Sequence, residues 1–208
     1  CNYFEEYNHW HKRVEYSYLY ETPEILLASI PTTLNSAVWN KLIRRTLYIA
    51  NNIRWFEGIN MQEDLGITLR LRVLSLKTIV VPYAFYHYNR QNLFSMAMKP
   101  KLNYIEEQIL CAKLLEQWML FHFNDRYKYL VDKIKFWAKS GLFIHSGIQD
   151  IKRWKSTFPE TNINIWRYKQ MPLYNRLPMW LALHGFGSLA KMIVYIKNKL
   201  AYMRASIR

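Results

Sequence analysis

Apolar positions recur along most of this chain at the spacing of helices, and in two places at the spacing of strands. Over residues 22–30, Thr22 stands as an N-cap with Pro23 at the first helical position and good helix formers behind it, which predicts a short helix. Val38, Leu42, Ile43 and Leu47 share a helical face with Lys41, Arg44 and Arg45 between them, predicting a second helix over 35–50. The run from Ile79 to Tyr88 is rich in β-branched and aromatic residues and is broken by Pro82, so it predicts an edge strand or a pair of short strands. Between these, Leu65, Ile67, Leu69, Leu71 and Val73 alternate with Gly66, Thr68, Arg70 and Arg72 as a half-buried strand would. Yet Asp64 can cap a helix that puts Leu65, Leu69, Arg72 and Leu76 on one side, and Leu and Arg favour helices. Periodicity leaves both assignments open.

Beyond Pro100 the pattern predicts helices over 101–122, 126–140 and 188–204, separated by polar or Gly/Pro turns. In the last, Ser188 is an N-cap, and Leu189, Met192, Ile193, Ile196, Leu200 and Met203 fall in one arc flanked by Lys197, Lys199 and Arg204. Such a helix either packs on the protein's own core or lies in a membrane interface with its lysines at headgroup level. Residues 177–196 come close to the roughly 20 residues a membrane span needs, but His184, Gly185, Gly187 and Lys191 interrupt them. No transmembrane helix is predicted.

The 208 residues, 51% hydrophobic and 16% aromatic, are enough to bury a core and exclude general disorder. The net charge of +14 calls for an anionic partner: nucleic acid, lipid headgroups or a phosphorylated small molecule. The excess is unevenly distributed. Up to Pro100 there are 11 basic and 8 acidic residues, net +3; after it there are 18 and 7, net +11. This shift is the best candidate boundary, giving a region 1–98 and a basic helical region 99–208. From 161 to the end, 48 positions carry eight basic residues and no carboxylate, a segment that an anionic surface would attract. Cys1 and Cys111 are far apart and neither belongs to a CxxC pair, so reduced, cytoplasmic thiols are the default and no zinc knuckle is predicted. The first residue is Cys, with no basic and apolar signal segment behind it, and the expectation is a reading frame that starts upstream.

Candidate chemistry centres on Glu57-Gly58-Ile59-Asn60-Met61-Gln62-Glu63-Asp64-Leu65. Two carboxylates after a Gly-containing loop and before an apolar element place one acid to cap backbone amides and free the other for work. Two further blocks accompany it, Ala37-Val38-Trp39-Asn40-Lys41-Leu42-Ile43-Arg44-Arg45 and Tyr86-His87-Tyr88-Asn89-Arg90. In this order and spacing they resemble the C-terminal half of the catalytic domain of bacterial family 2 glycosyltransferases, inverting enzymes of surface polysaccharide synthesis, over about residues 1–98.

The resemblance implies an α/β fold class: a partial GT-A, Rossmann-like domain without its N-terminal nucleotide-binding half, followed by the mainly α-helical region 99–208. It favours a helix after Asp64. It implies Asp64 as general base, Glu63 positioning acceptor or base, and Trp39, Asn40, Lys41 and Glu57 along the sugar groove. It further implies Arg90, whose guanidinium fork suits phosphate oxygens, on the donor diphosphate, with His87 at a phosphate or a divalent metal. The partners would be a nucleotide-sugar donor and a saccharide or lipid-linked acceptor, at the inner face of the cell membrane. A complete enzyme of this family would use Mg²⁺ or Mn²⁺ held by an Asp-x-Asp motif, and no Asp-x-Asp occurs in this chain. These residues alone are therefore expected to be inactive. The alternative is a basic helical interaction module that binds nucleic acid or anionic membrane without catalysis, its aromatics Trp118, Trp137, Trp154, Trp166 and Trp180 available for stacking.

Overall fold

A computed structural model describes residues 1–15, 20–21, 36–79, 81–92, 102–145, 149–169 and 171–206. The helix expected over 22–30 lies outside the described residues. Strands β1 (Asn2–Glu6), β2 (His11–Val14) and β5 (Ala84–Asn89) form a sheet of order β2-β1-β5. The β1–β2 pair is an antiparallel hairpin, whereas β1 and β5 run parallel, with Glu5 opposite Tyr88 and Glu6 opposite Asn89. Strands β3 (Tyr20–Glu21) and β4 (Thr78–Ile79) make a short antiparallel pair. The aromatic run around Pro82 is thus two short strands, and β5 occupies a sheet edge.

Helix α1 (Arg45–Ala50) is much shorter than the one expected over 35–50. Residues 38–40 turn instead, and Leu42, expected on the apolar face, is fully solvent-exposed while Ile43 and Leu47 pack beneath it. Helix α2 (Glu63–Leu74) resolves the alternating stretch, and explains it. Every residue from Leu65 to Val73 is buried. Leu65, Leu69 and Val73 enter the main core, and Ile67 and Leu71 join Ile53 in a second cluster on the other side. The intervening positions fill the remaining sides. A Cβ on Gly66 would sit 2.9 Å from the Phe56 ring, and Arg70 lies 4.0 Å over that ring while its Nη2 donates to the Arg54 carbonyl. A helix with apolar groups on two sides reads in sequence like a strand with one.

Helices α3 (Leu102–Phe123) and α4 (Lys128–Ile144) form a hairpin through a 3₁₀ turn at Asn124–Tyr127, with Gly141 near the end of α4 against Ile105 near the start of α3. Ile105, Ile109, Ala112, Leu115 and Met119 are the buried stripe of α3 and meet Ile59, Leu65, Leu69 and Val73 in the main core. One core therefore runs across position 98.

Beyond α4, three elements escaped the sequence pattern: α5 (Ile151–Ser156), a 3₁₀ segment Pro159–Arg167, and α6 (Leu173–Leu183). Asp150 caps α5 by accepting the Arg153 amide at 2.9 Å. Lys139 of α4, wholly buried, fixes the following segment: its Nζ donates to the carbonyls of Thr157 and Phe158 (2.8 and 2.9 Å) and to Asn162 Oδ1 (2.6 Å).

Helix α6 ends in a Schellman motif. Gly185 takes φ +93°, the Phe186 amide donates to Leu181 and that of Gly185 to Ala182. Helix α7 (Gly187–Ser206) follows and packs back on α6. Its Ala190 and Val194 are buried, whereas Leu189, Met192, Ile196, Leu200 and Met203 of the expected apolar arc are exposed. Lys197, expected to flank that arc, instead turns inward and donates to Asn175 Oδ1 at 3.0 Å. Among the described residues no helix is long and apolar enough to cross a membrane.

Candidate functional site

Asp64 lies in the first turn of α2, after Gln62 at φ 68°. Its carboxylate serves a different segment from its own helix: Oδ2 accepts the Val38 amide at 3.1 Å. One turn on, the Thr68 hydroxyl donates to the Ser36 carbonyl at 2.9 Å, so α2 carries the 36–41 turn on two side chains. Within that turn Asn40 is buried, and the Lys41 amine donates to the Ala37 carbonyl and, at 2.8 Å, to Asn40 Oδ1. From the other side, α3 supplies Glu107, whose Oε2 accepts the amides of Asn60 and Met61, both at 2.8 Å, and so orients the loop that leads into Glu63. Thr68 and Glu107 carry no sequence signal. Each is an ordinary polar residue on a helix until its distant partner is known.

The third block arrives through aromatic stacking. Tyr86 and Tyr88 share one face of β5, as residues two apart in a strand must, and Trp39 stacks on both, at 4.3 and 5.3 Å between ring centroids. Tyr3 of β1 meets the edge of the Trp39 ring at 5.0 Å. Trp39 therefore joins the sheet to the Asp64 turn, and Trp39, Asn40, Lys41 and Asp64 form one cluster, with Glu63 next to Asp64 on the side of Glu107 and Cys111. Glu57, by contrast, is solvent-exposed on the Gly58 turn.

The two groups expected at phosphate or metal, Arg90 and His87, each bond a carboxylate of β1. Arg90 is bound to Glu5, with Nε donating to Oε1 at 3.0 Å and Nη2 to the same oxygen, and its guanidinium lies 4.8 Å over Tyr88. Tyr7 donates to the other oxygen of Glu5 at 3.0 Å. The guanidinium fork is thus spent on a buried carboxylate. His87 points to the face of the sheet opposite Tyr86 and Tyr88, where it stacks on Phe4 and bonds Glu6 at 2.5 Å. It is not part of the Asp64 cluster.

Electrostatics set the cluster apart from the surface. Burial raises the Asp64 carboxyl above its usual range, while the Val38 amide and the Lys41 charge act against this. Burial also raises Glu63, and the adjacent Asp64 charge adds to the effect. Lys41 is lowered to about 7, chiefly by burial and then by the nearby Arg72 cation, with Asp64 opposing. Tyr48 is raised by burial and by Asp64. A carboxylate, an amine that titrates near neutrality and a stacked indole within one partly buried patch can accept a proton, bond a hydroxyl and face a sugar ring.

Among the described residues no group of three or more His, Cys, Asp or Glu could hold a metal ion, and His87 has only Glu6 beside it. The tryptophans of the basic half are mostly structural: Trp154 is fully buried against Phe143, and Trp118 and Trp137 pack on the core. Compared with known proteins, the chain matches no family model, no curated protein and no solved structure.

Proposed function

We propose that this chain supplies the acceptor side of an inverting glycosyltransferase, with Asp64 as the general base. The acceptor hydroxyl oxygen attacks the anomeric carbon of a nucleotide sugar and loses its proton to Asp64. The bond from that carbon to the diphosphate breaks, and the departing nucleoside diphosphate keeps the electron pair. Asp64 Oδ2 is engaged by the Val38 amide, so Oδ1 is the atom assigned to the proton. Lys41 and Glu63 orient the acceptor hydroxyls, and Trp39 gives the sugar ring an apolar face. Glu5-bound Arg90 and outward-facing His87 have no part in this reading, and no metal-dependent step is assigned.

The observation that carries the proposal is the convergence of three sequence blocks, at 37–41, 57–65 and 86–90, through the Val38–Asp64 bond and the Trp39–Tyr86 and Trp39–Tyr88 stacks. The three blocks taken together, in their order and spacing, resemble one enzyme family. The parallel β1–β5 pair, with α1 and α2 in its connection, adds limited support.

The test is sugar transfer by the full gene product that contains these residues, assayed as nucleoside diphosphate release from a panel of nucleotide sugars. Asp64→Asn is expected to lower turnover by about 10²–10⁴-fold, the usual contribution of a positioned base, while leaving acceptor binding in place. Trp39→Ala is expected to weaken acceptor binding. Unchanged turnover in Asp64→Asn refutes the assignment.

A further inference from the structure

Helix α7 exposes the kind of face that a packed helix ordinarily hides. Its inner side is fixed by Ala190 and Val194 in the core, by Lys197 on Asn175 and by the Asn198 amide on the Ile144 carbonyl. Turned by roughly 140° at 100° per residue, Leu189, Met192, Ile196 and Leu200 are 41, 53, 47 and 49% exposed. Phe186, in the turn that leads into α7, is 57% exposed and extends the same apolar strip. Lys199 borders the strip, Lys191 lies further round, and both are exposed.

We infer that this face docks on the headgroup–acyl boundary of an anionic bilayer, with α7 lying parallel to the surface. Charge selects the occupant. The last 48 residues carry eight basic groups and no carboxylate. A second copy of the chain on the same face would oppose one such segment with another, and like charge set against like charge in an interface is strongly disfavoured. Anionic headgroups, in contrast, take up the lysines while the acyl boundary takes up the apolar strip. Tyr195, 58% exposed beside Lys191 and Lys199, suits the level where aromatic rings collect at a membrane surface. The helix is not apolar enough to cross a membrane; at about 1.5 Å per residue its length of some 30 Å lies along the bilayer. The inference is independent of the transfer reaction, because it needs only α7 and its charges.

The experiment is co-sedimentation of the whole chain with vesicles of phosphatidylcholine, alone or mixed with phosphatidylglycerol, from low to high salt. Binding is expected with phosphatidylglycerol only, and is expected to weaken as salt rises. Removing Lys191 and Lys199 together as Lys191→Gln and Lys199→Gln should weaken it by about 25-fold, near fivefold for each charge at a membrane surface. The double substitution Met192→Asp with Ile196→Asp should abolish binding while circular dichroism stays that of the wild type. Equal binding to both vesicle types, salt-insensitive binding or no binding would overturn the inference, and these wild-type readouts do not depend on the variants folding. So would wild-type-like binding by the Asp variant, or light scattering that detects a dimer which the Asp variant dissolves.

Discussion

Replacing Lys139 by Met removes a fully buried amine that holds the carbonyls of Thr157 and Phe158 and the side chain of Asn162. Burial lowers its pKa from 10.5 to about 7, with nearby Glu160 raising it and Lys135 lowering it further. Between those two values the unfolded chain binds the proton more tightly than the folded one. Folding therefore releases a proton, and the folded state gains stability as pH rises through that window. From pH 7 to 8.5 the wild type should gain about 1–2 kcal/mol on Lys139→Met, by integrating a proton difference that grows from about one half at pH 7 to about one at pH 8.5. The offset between the two chains also contains three lost hydrogen bonds, about 1 kcal/mol each, but the change with pH does not. Lys41 and Lys133, which burial also lowers, to about 7 and about 8, remain in both chains and cancel. Urea unfolding followed by tryptophan fluorescence, at constant ionic strength across this range, reads the difference directly. Stability curves that run parallel, or that converge as pH rises, refute the reasoning.

Other substitutions probe the site and its supports. Asp64→Leu removes the acceptor for the Val38 amide and should destabilise the chain by about 1–3 kcal/mol, whereas Asp64→Asn keeps an oxygen there and should fold like the wild type in the same urea assay. Burial pushes the Glu5 carboxyl up, but the bonds from Arg90 and Tyr7 outweigh it and leave its pKa below the usual 4.5. Glu5→Gln should therefore be less stable than the wild type near neutral pH by about 1–3 kcal/mol, and the gap should close as pH falls through the folded pKa of Glu5. In α4, a Cβ on Gly141 would come within 2.9 Å of two Ile105 carbons. Gly141→Ala should lose about 1–3 kcal/mol to overpacking against a helix-propensity gain of about 1, and Ile105→Ala, which removes both clashing carbons, should make the cost of adding Gly141→Ala much smaller in a double-mutant cycle.

The sequence made the long helices legible where one face alone is buried, as in α3, whose apolar stripe sets its bounds. It was ambiguous at α2 because that helix is buried on every side, so its two apolar ridges superimpose into an alternation. The break near Trp39 was invisible because it comes from tertiary bonds: Val38 to Asp64 and Trp39 to the tyrosines of β5 override a helical spacing. Prolines concealed the later elements. Pro159 opens the 3₁₀ segment, Pro172 is the N-cap of α6 and Pro178 sits inside it. At the site, the acidic pair and the Trp39 block were visible as residues, and their proximity was not. The Arg90–Glu5 pair joins positions 85 apart, which no local pattern encodes.

That same pairing has a consequence for how the chain acquires its structure. The α3–α4 hairpin closes through a four-residue 3₁₀ turn and can form from local contacts, whereas β1 must wait for β5, 85 residues later at the Glu5–Arg90 pair. At a synthesis rate of about 5–20 residues per second, the β1–β2 hairpin, complete at Val14, spends roughly 4–15 seconds before β5 is made at Asn89, with the β1 edge unpaired. Such contacts of high sequence separation form late and slowly. The Trp39 stack, which needs Tyr86 and Tyr88, therefore cannot assemble before β5 arrives, and the interval before then is when a newly made chain is most exposed to pairing with the wrong strand.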